Sequence, residues 1–100
     1  MTEQDFFAIY IPAVRKAMIT EVVFGVSGPD WFIDDDALRE NVMNFEETIY
    51  DEHAVFFDMV HDFLDAYSHN FPTVGDYPIE ESKRNLEAML DIYEQRYKSK

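Results

Sequence analysis

The stretch that decides the fold runs from Asp34 to Ser68: DDDALRENVMNFEETIYDEHAVFFDMVHDFLDAYS. Within it Leu38, Val42, Phe45, Ile49, Phe56, Val60, Phe63 and Tyr67 recur in 4-3-4 steps. At about 100° per residue these side chains fall within a sector of roughly 60°, which is the pattern of an amphipathic helix and not the alternation of a strand. They are the expected spine of the core. The triple Asp34-Asp35-Asp36 supplies an N-cap and places negative charge at the positive end of the helix dipole. One slot of the repeat, near Glu52 and His53, carries no apolar residue. An unbroken helix from Asp36 to Ser68 would be about 50 Å long, so a break is expected near Asp51–Ala54.

The segments on either side also read as helices. Thr2 is placed to cap a first helix in which Phe6, Phe7, Tyr10, Val14, Ala17, Met18 and Val22 keep helical spacing to about Phe24. Pro12 interrupts that pattern and either kinks one helix or opens a second at its first position. Ser27-Gly28-Pro29-Asp30 is a breaker cluster. Asn70 to Tyr77 reads as a loop, and Pro78 with Glu80 and Glu81 opens a last helix. Its buried face is Ile79, Leu86, Met89, Leu90, Tyr93 and Tyr97, while Arg96, Lys98 and Lys100 suit the negative end of its dipole. No segment reads convincingly as a strand, since the run Val22–Val26 can simply finish the first helix. The expectation is a single all-α domain of three to five helices over residues 1–100.

Composition narrows the function. The chain has 100 residues, 47% of them apolar and 16% aromatic, enough to bury a core. It has no cysteine, which removes disulfides, thiolate metal sites and thiol catalysis and fits a cytoplasmic location. The acidic start Thr2-Glu3-Gln4-Asp5 is unlike a secretory signal, and no apolar run approaches the roughly 20 residues that span a bilayer. The net charge is −13. Between Asp30 and Ser82 there are fifteen carboxylates and one basic residue, Arg39, whereas both flanks are nearly balanced. An acidic surface of this kind is repelled by phosphates and anionic lipid, so neither direct nucleic-acid binding nor membrane binding is expected.

Catalytic and metal-binding patterns are scarce. His53, His61 and His69 are eight residues apart, which turns each about 80° from the last, so the three fan out and read as surface histidines paired with neighbouring carboxylates. Asp58-x-x-His61 is half of a di-iron carboxylate pattern, but no second such pair exists in the chain. There is no nucleophile elbow and no phosphate loop. The sequence therefore gives no catalytic residue, no metal ligand set and no cofactor, and the expectation is a non-enzyme.

What remains is the acidic stripe itself. Glu40, Glu47, Asp51, Asp58, Asp62 and Asp65 lie opposite the apolar spine on the helical wheel. Like-charge neighbours at Glu47–Asp51, Asp58–Asp62 and Asp62–Asp65 each cost about 0.2–0.5 kcal/mol. An ordinary solvated face mixes signs and avoids that cost. Trp31, Phe32, Tyr50, Phe57 and Tyr77 lie in or beside this region and have no place in the core pattern. Carboxylates bordered by Trp and Tyr form the composition of a hot spot for a cationic partner. The expected contact set is Glu47, Tyr50, Asp51, Asp58, Asp62, Asp65 and Trp31.

In size, charge and aromatic content the chain resembles the bacterial toxin-immunity proteins of the colicin and contact-dependent-inhibition types. The short aromatic–tyrosine signature of the DNase-colicin immunity family is not present, so no residue role is carried over from it. The resemblance implies a 1:1 complex with a cognate cationic toxin, a nuclease domain, whose active-site cleft is blocked by the acidic face. Phage or plasmid mimics of nucleic acid, such as anti-restriction and anti-CRISPR proteins, share the mechanism and are the alternative. A mimic of a long duplex spreads its carboxylates over most of its surface, so the concentration between Asp30 and Ser82 favours the immunity reading. A third class is an adaptor whose charge serves only solubility.

Overall fold

The computed structural model of the chain describes residues 1–19 and 32–97. Thr2 caps the first helix, α1 (Glu3–Ile19), by accepting the Asp5 amide proton on Oγ1 at 3.1 Å. α1 runs through Pro12 without ending, and it buries Phe6, Phe7, Tyr10, Val14, Ala17 and Met18 as the spacing predicts. The Ser27–Asp30 breaker, the Val22–Val26 run, Trp31 and the basic residues Lys98 and Lys100 lie outside the described residues.

The long repeat folds as α2 (Asp36–Ile49), a 3₁₀ turn (Tyr50–His53) and α3 (Ala54–Ser68), joined without a loop. Asp35 caps α2 by accepting the Leu38 amide at 2.9 Å. The break falls where the apolar seam lapses. Ile49 (φ −109°, ψ 3°) and His53 (φ −132°, ψ 29°) bracket the turn with non-helical dihedrals. The bend is needed for compactness, because the longest extent of the molecule is 36 Å while a straight helix of this length would run to about 50 Å.

α3 ends in a Schellman motif. The Phe71 amide reaches the Ala66 carbonyl at 2.9 Å and the Asn70 amide reaches that of Tyr67 at 3.1 Å, with Asn70 in the left-handed region (φ 59°). The segment read as a loop then contains a minimal antiparallel hairpin, β1 (Thr73–Val74) against β2 (Tyr77–Pro78). Gly75, at φ 60°, takes the first turn position where a two-residue hairpin favours glycine. The expectation of no strand is corrected accordingly. Strands of two residues are too short to leave a period-2 pattern in the sequence. Pro78 precedes α4 (Ile79–Arg96), which buries Leu86, Leu90 and Tyr93.

Four α-helices, running as three helical segments, form this mostly α domain among the described residues. α3 lies at the centre and packs on α1, α4 and β1, whereas α2 packs on α1. The core is an aromatic stack. Phe56 lies 4.2 Å from Tyr93 and Phe7 4.5 Å from Tyr97, both nearly parallel, and Phe6 stacks on Tyr10 at 4.9 Å. Of the expected spine, Val42, Ile49, Phe56, Val60 and Phe63 are buried, while Leu38, Phe45 and Tyr67 are half-buried against the same core.

Phe57 corrects the sequence reading most directly. Given no place in the core pattern, it is 0% exposed and lies among Phe6, Tyr10, Tyr50 and Phe56. α3 is covered on more than one side, so its buried sector is wider than one stripe, and Phe57 and Leu64 fill the second. Phe32, also given no core place by the sequence, is half-buried and packs against the core.

Candidate functional site

The outer side of the 3₁₀ turn and α3 carries most of the acidic residues expected to bind a partner. Glu47, Asp51, Asp58, Asp62 and Asp65 are all exposed. Asp58, Asp62 and Asp65 follow one another along α3 at spacings of about one turn, which keeps them on a common side. Among the described residues no Lys or Arg forms an ion pair with Glu47, Asp51, Asp58 or Asp62. The basic residues that do pair do so elsewhere, Arg15 with Asp91 at 2.8 Å and Arg39 with Asp36 at 2.8 Å.

Tyr50 ties the turn to α3. Its ring stacks on buried Phe57 at 6.0 Å, and its hydroxyl donates to Asp58 Oδ1. That hydrogen bond raises the Tyr50 pKa above the ordinary 10.0, helped by partial desolvation and by the charges of Asp58, Asp51 and Asp62. The structure thus brings Tyr50, Asp51, Asp58 and Asp62 together, and Asp65 joins them through a groove it shares with Asp62. Glu47 is exposed on the last turn of α2. Trp31 lies outside the described residues, and Tyr77 is exposed in the hairpin.

The histidines diverge, each to its own carboxylate. His61 Nε2 lies 3.1 Å from Glu46 Oε2, and His69 Nδ1 lies 3.5 Å from Asp65 Oδ1. Asp58 is turned to Tyr50 and His61 to Glu46, so the half di-iron pattern does not assemble.

His53 is no surface histidine. Its side chain is 9% exposed and fills the slot that the apolar repeat leaves open. Nδ1 lies 2.9 Å from the Tyr93 hydroxyl and Nε2 lies 3.4 Å from Glu3 Oε1, while Tyr97 donates to Glu3 Oε2 at 3.0 Å. The imidazole edge also meets the rings of Phe7 and Phe57. This network pins the start of α1 and the end of α4 to the 3₁₀ turn. Ligand-capable atoms of Glu3, Glu52 and His53 come within 4.8 Å of one another, the only such group of three among the described residues. Two of the three are already held in the tyrosine network, which accounts for their position without an ion. Sequence reasoning overlooked His53 because the polar residue in a gap of the repeat looked like an interruption.

Comparison with protein-family models, curated proteins and solved structures gives no match for this chain. Among the described residues no helix is long and apolar enough to cross a membrane.

Proposed function

We propose that this protein is an inhibitor of the immunity type, acting in the cytoplasm, which neutralises a cationic toxin nuclease by occupying its substrate cleft with the acidic face of the 3₁₀ turn and α3. One observation carries the reading: Asp51, Asp58 and Asp62 surround Tyr50 with no Lys or Arg paired to them among the described residues. Holding carboxylates together without countercharges costs stability, and a cationic partner relieves that cost on binding. In the complex the carboxylates take the place of substrate phosphates before the toxin's Lys and Arg, best as bidentate pairs with Arg. Tyr50 and the neighbouring aromatics exclude water from those contacts and slow dissociation. Steric exclusion is then sufficient, and no catalytic step, metal or cofactor is required.

The test takes the C-terminal domain of a secreted toxin, sought first in the gene next to the one that encodes this chain. Co-expression should protect cells from that domain, and the two should elute as a 1:1 complex without nuclease activity. Association should slow with added salt toward the ordinary range of about 10⁵–10⁷ M⁻¹s⁻¹. An on-rate indifferent to salt, or a complex that still cleaves nucleic acid, overturns the reading.

A further inference from the structure

We infer that the 3₁₀ turn between α2 and α3 is a hinge, and that when it opens two copies of this chain exchange their α1–α2 halves, forming a dimer built on a continuous helix from Asp36 to Ser68. The inference stands apart from the reading of the acidic face. No glycine or proline occurs between Asp36 and Ser68. The turn itself, Tyr50-Asp51-Glu52-His53, consists of residues that helices accept. Nothing local therefore ends α2, and the bend is imposed by packing. Tyr50 (φ −54°, ψ −49°) and Ala54 (φ −57°, ψ −41°) are already helical. Only Ile49 and His53 depart from that geometry, and rotations of roughly 45–70° about their backbone bonds would make the helix continuous. A short 3₁₀ stretch inside a longer helix is a usual place for a hinge. The apolar repeat from Leu38 to Tyr67 continues through the turn, so the straight form keeps a single apolar face.

Two contacts hold the hinge bent, one on each side. On the inner side the His53 imidazole lies 3.4 Å from Glu3 of α1 and 2.9 Å from the Tyr93 hydroxyl of α4, joining the two halves that would part. On the outer side the Tyr50 hydroxyl donates to Asp58 Oδ1. In a straight helix residues eight apart are separated by about 12 Å along the axis, and the Tyr50 side chain would point away from Asp58, towards the N-terminus. That hydrogen bond therefore belongs to the bent form alone. The open form needs a second copy. α1 has 17 residues and α4 has 18, so each spans about 26 Å and neither covers a helix of about 50 Å. A second copy covers the remainder with contacts that the bent chain already makes within itself, where α1 packs on α3 and α4. Exchange keeps the contacts of Phe7 with Phe56 and Tyr93, changes only which chain supplies them, and adds the α-helical hydrogen bonds of the junction.

The chain has no cysteine, so spin labels can be attached through Ala37→Cys and Asp65→Cys, at exposed positions of α2 and α3. A continuous helix separates these positions by about 42 Å, more than the 36 Å extent of the bent molecule. His53→Leu removes the inner contact and puts an apolar residue in the open slot of the repeat. Light scattering on the eluted full-length protein should then show the monomer–dimer equilibrium moved about tenfold or more towards dimer, relative to the unsubstituted chain. Doubly labelled chains refolded in an excess of unlabelled ones should show the longer separation. Adding Glu52→Gly, which disfavours a helix through the junction, should return the monomer, whereas glycine would not rescue a variant that had merely lost stability. Tyr50→Phe keeps the ring on Phe57 and loses only the outer hydrogen bond. It should move the equilibrium the same way by a smaller factor, and it decides the matter if His53→Leu does not fold. A monomer in every folded variant overturns the hinge. So does a dimer whose label separation stays that of the monomer, or one that persists unchanged with Glu52→Gly.

Discussion

α2 and α3 carry the same 4-3-4 apolar repeat, yet they are buried to different depths. α2 buries Val42 and Ile49 alone, with Leu38 and Phe45 half-exposed at its side. α3 buries Phe56, Phe57, Val60, Phe63, Leu64, Ala66 and Ser68. The repeat fixes the direction in which a helix faces. Depth depends on how closely neighbours cover it, and α3 packs on α1, α4 and β1 where α2 packs on α1 and meets α3 through Glu46 and His61. A period is a local property, whereas the width of a buried sector is a tertiary one.

The largest expected effect tests that contrast in the core. Phe57→Ala removes a ring in contact with Phe6, Tyr10, Tyr50 and Phe56, and should cost ~3–5 kcal/mol in chemical denaturation. Phe45→Ala, the same change on the shallow helix, should cost about 1–2 kcal/mol. Equal losses would show that α2 is as deeply packed as α3 and would abolish the distinction.

Next in size is the junction between the two helices. His53→Ala deletes a nearly buried ring and the hydrogen bonds linking Glu3 to Tyr93, and should cost about 1–3 kcal/mol. Its exposed neighbour Glu52 serves as the control, since Glu52→Ala should change stability by less than about 0.5 kcal/mol. The same network gives a pH dependence. Burial raises the Tyr93 and Tyr97 pKa values above 10.0, and the Glu3 carboxylate adds to the rise at Tyr97. The folded state therefore holds these protons where the unfolded chain has lost them, and stability must fall as pH rises above 10.0. Tyr97→Phe should flatten that alkaline fall, as read from denaturation midpoints across the range, while leaving the neutral-pH fold intact.

The sequence was informative wherever one element decided the outcome. The Thr2 cap, the break at the seam lapse and the buried face of α4 each follow from residues within a few positions of one another. Phe57 and His53 were misread because their environments are assembled by α1 and α4, forty or more residues away in sequence, as in the contacts of Phe57 with Phe7 and of His53 with Tyr93. The candidate site divides the same way. Exposure of the carboxylates was legible from the helical period. The Tyr50–Asp58 hydrogen bond required the geometry of the 3₁₀ turn, and the groove shared by Asp62 and Asp65 required the hairpin to fold back along α3.

The smallest expected effect concerns the outer sides of the same two helices. Asp62 has like-charged neighbours one turn away on both sides, Asp58 and Asp65, and no Lys or Arg is paired with it among the described residues. Asp62→Asn relieves two repulsions of about 0.2–0.5 kcal/mol each, so stability should rise by up to about 1 kcal/mol at low salt. On α2 the comparable residue is Glu40, whose acidic neighbour Asp36 is already paired with Arg39 at 2.8 Å. Glu40→Gln should therefore gain less, and both gains should vanish in high salt as screening removes the repulsion. If Asp62→Asn also slows association with a cationic partner, stability and binding move in opposite directions at one residue. That opposition is expected of a surface held for recognition, because a face kept only for solubility would gain stability from the change and lose nothing.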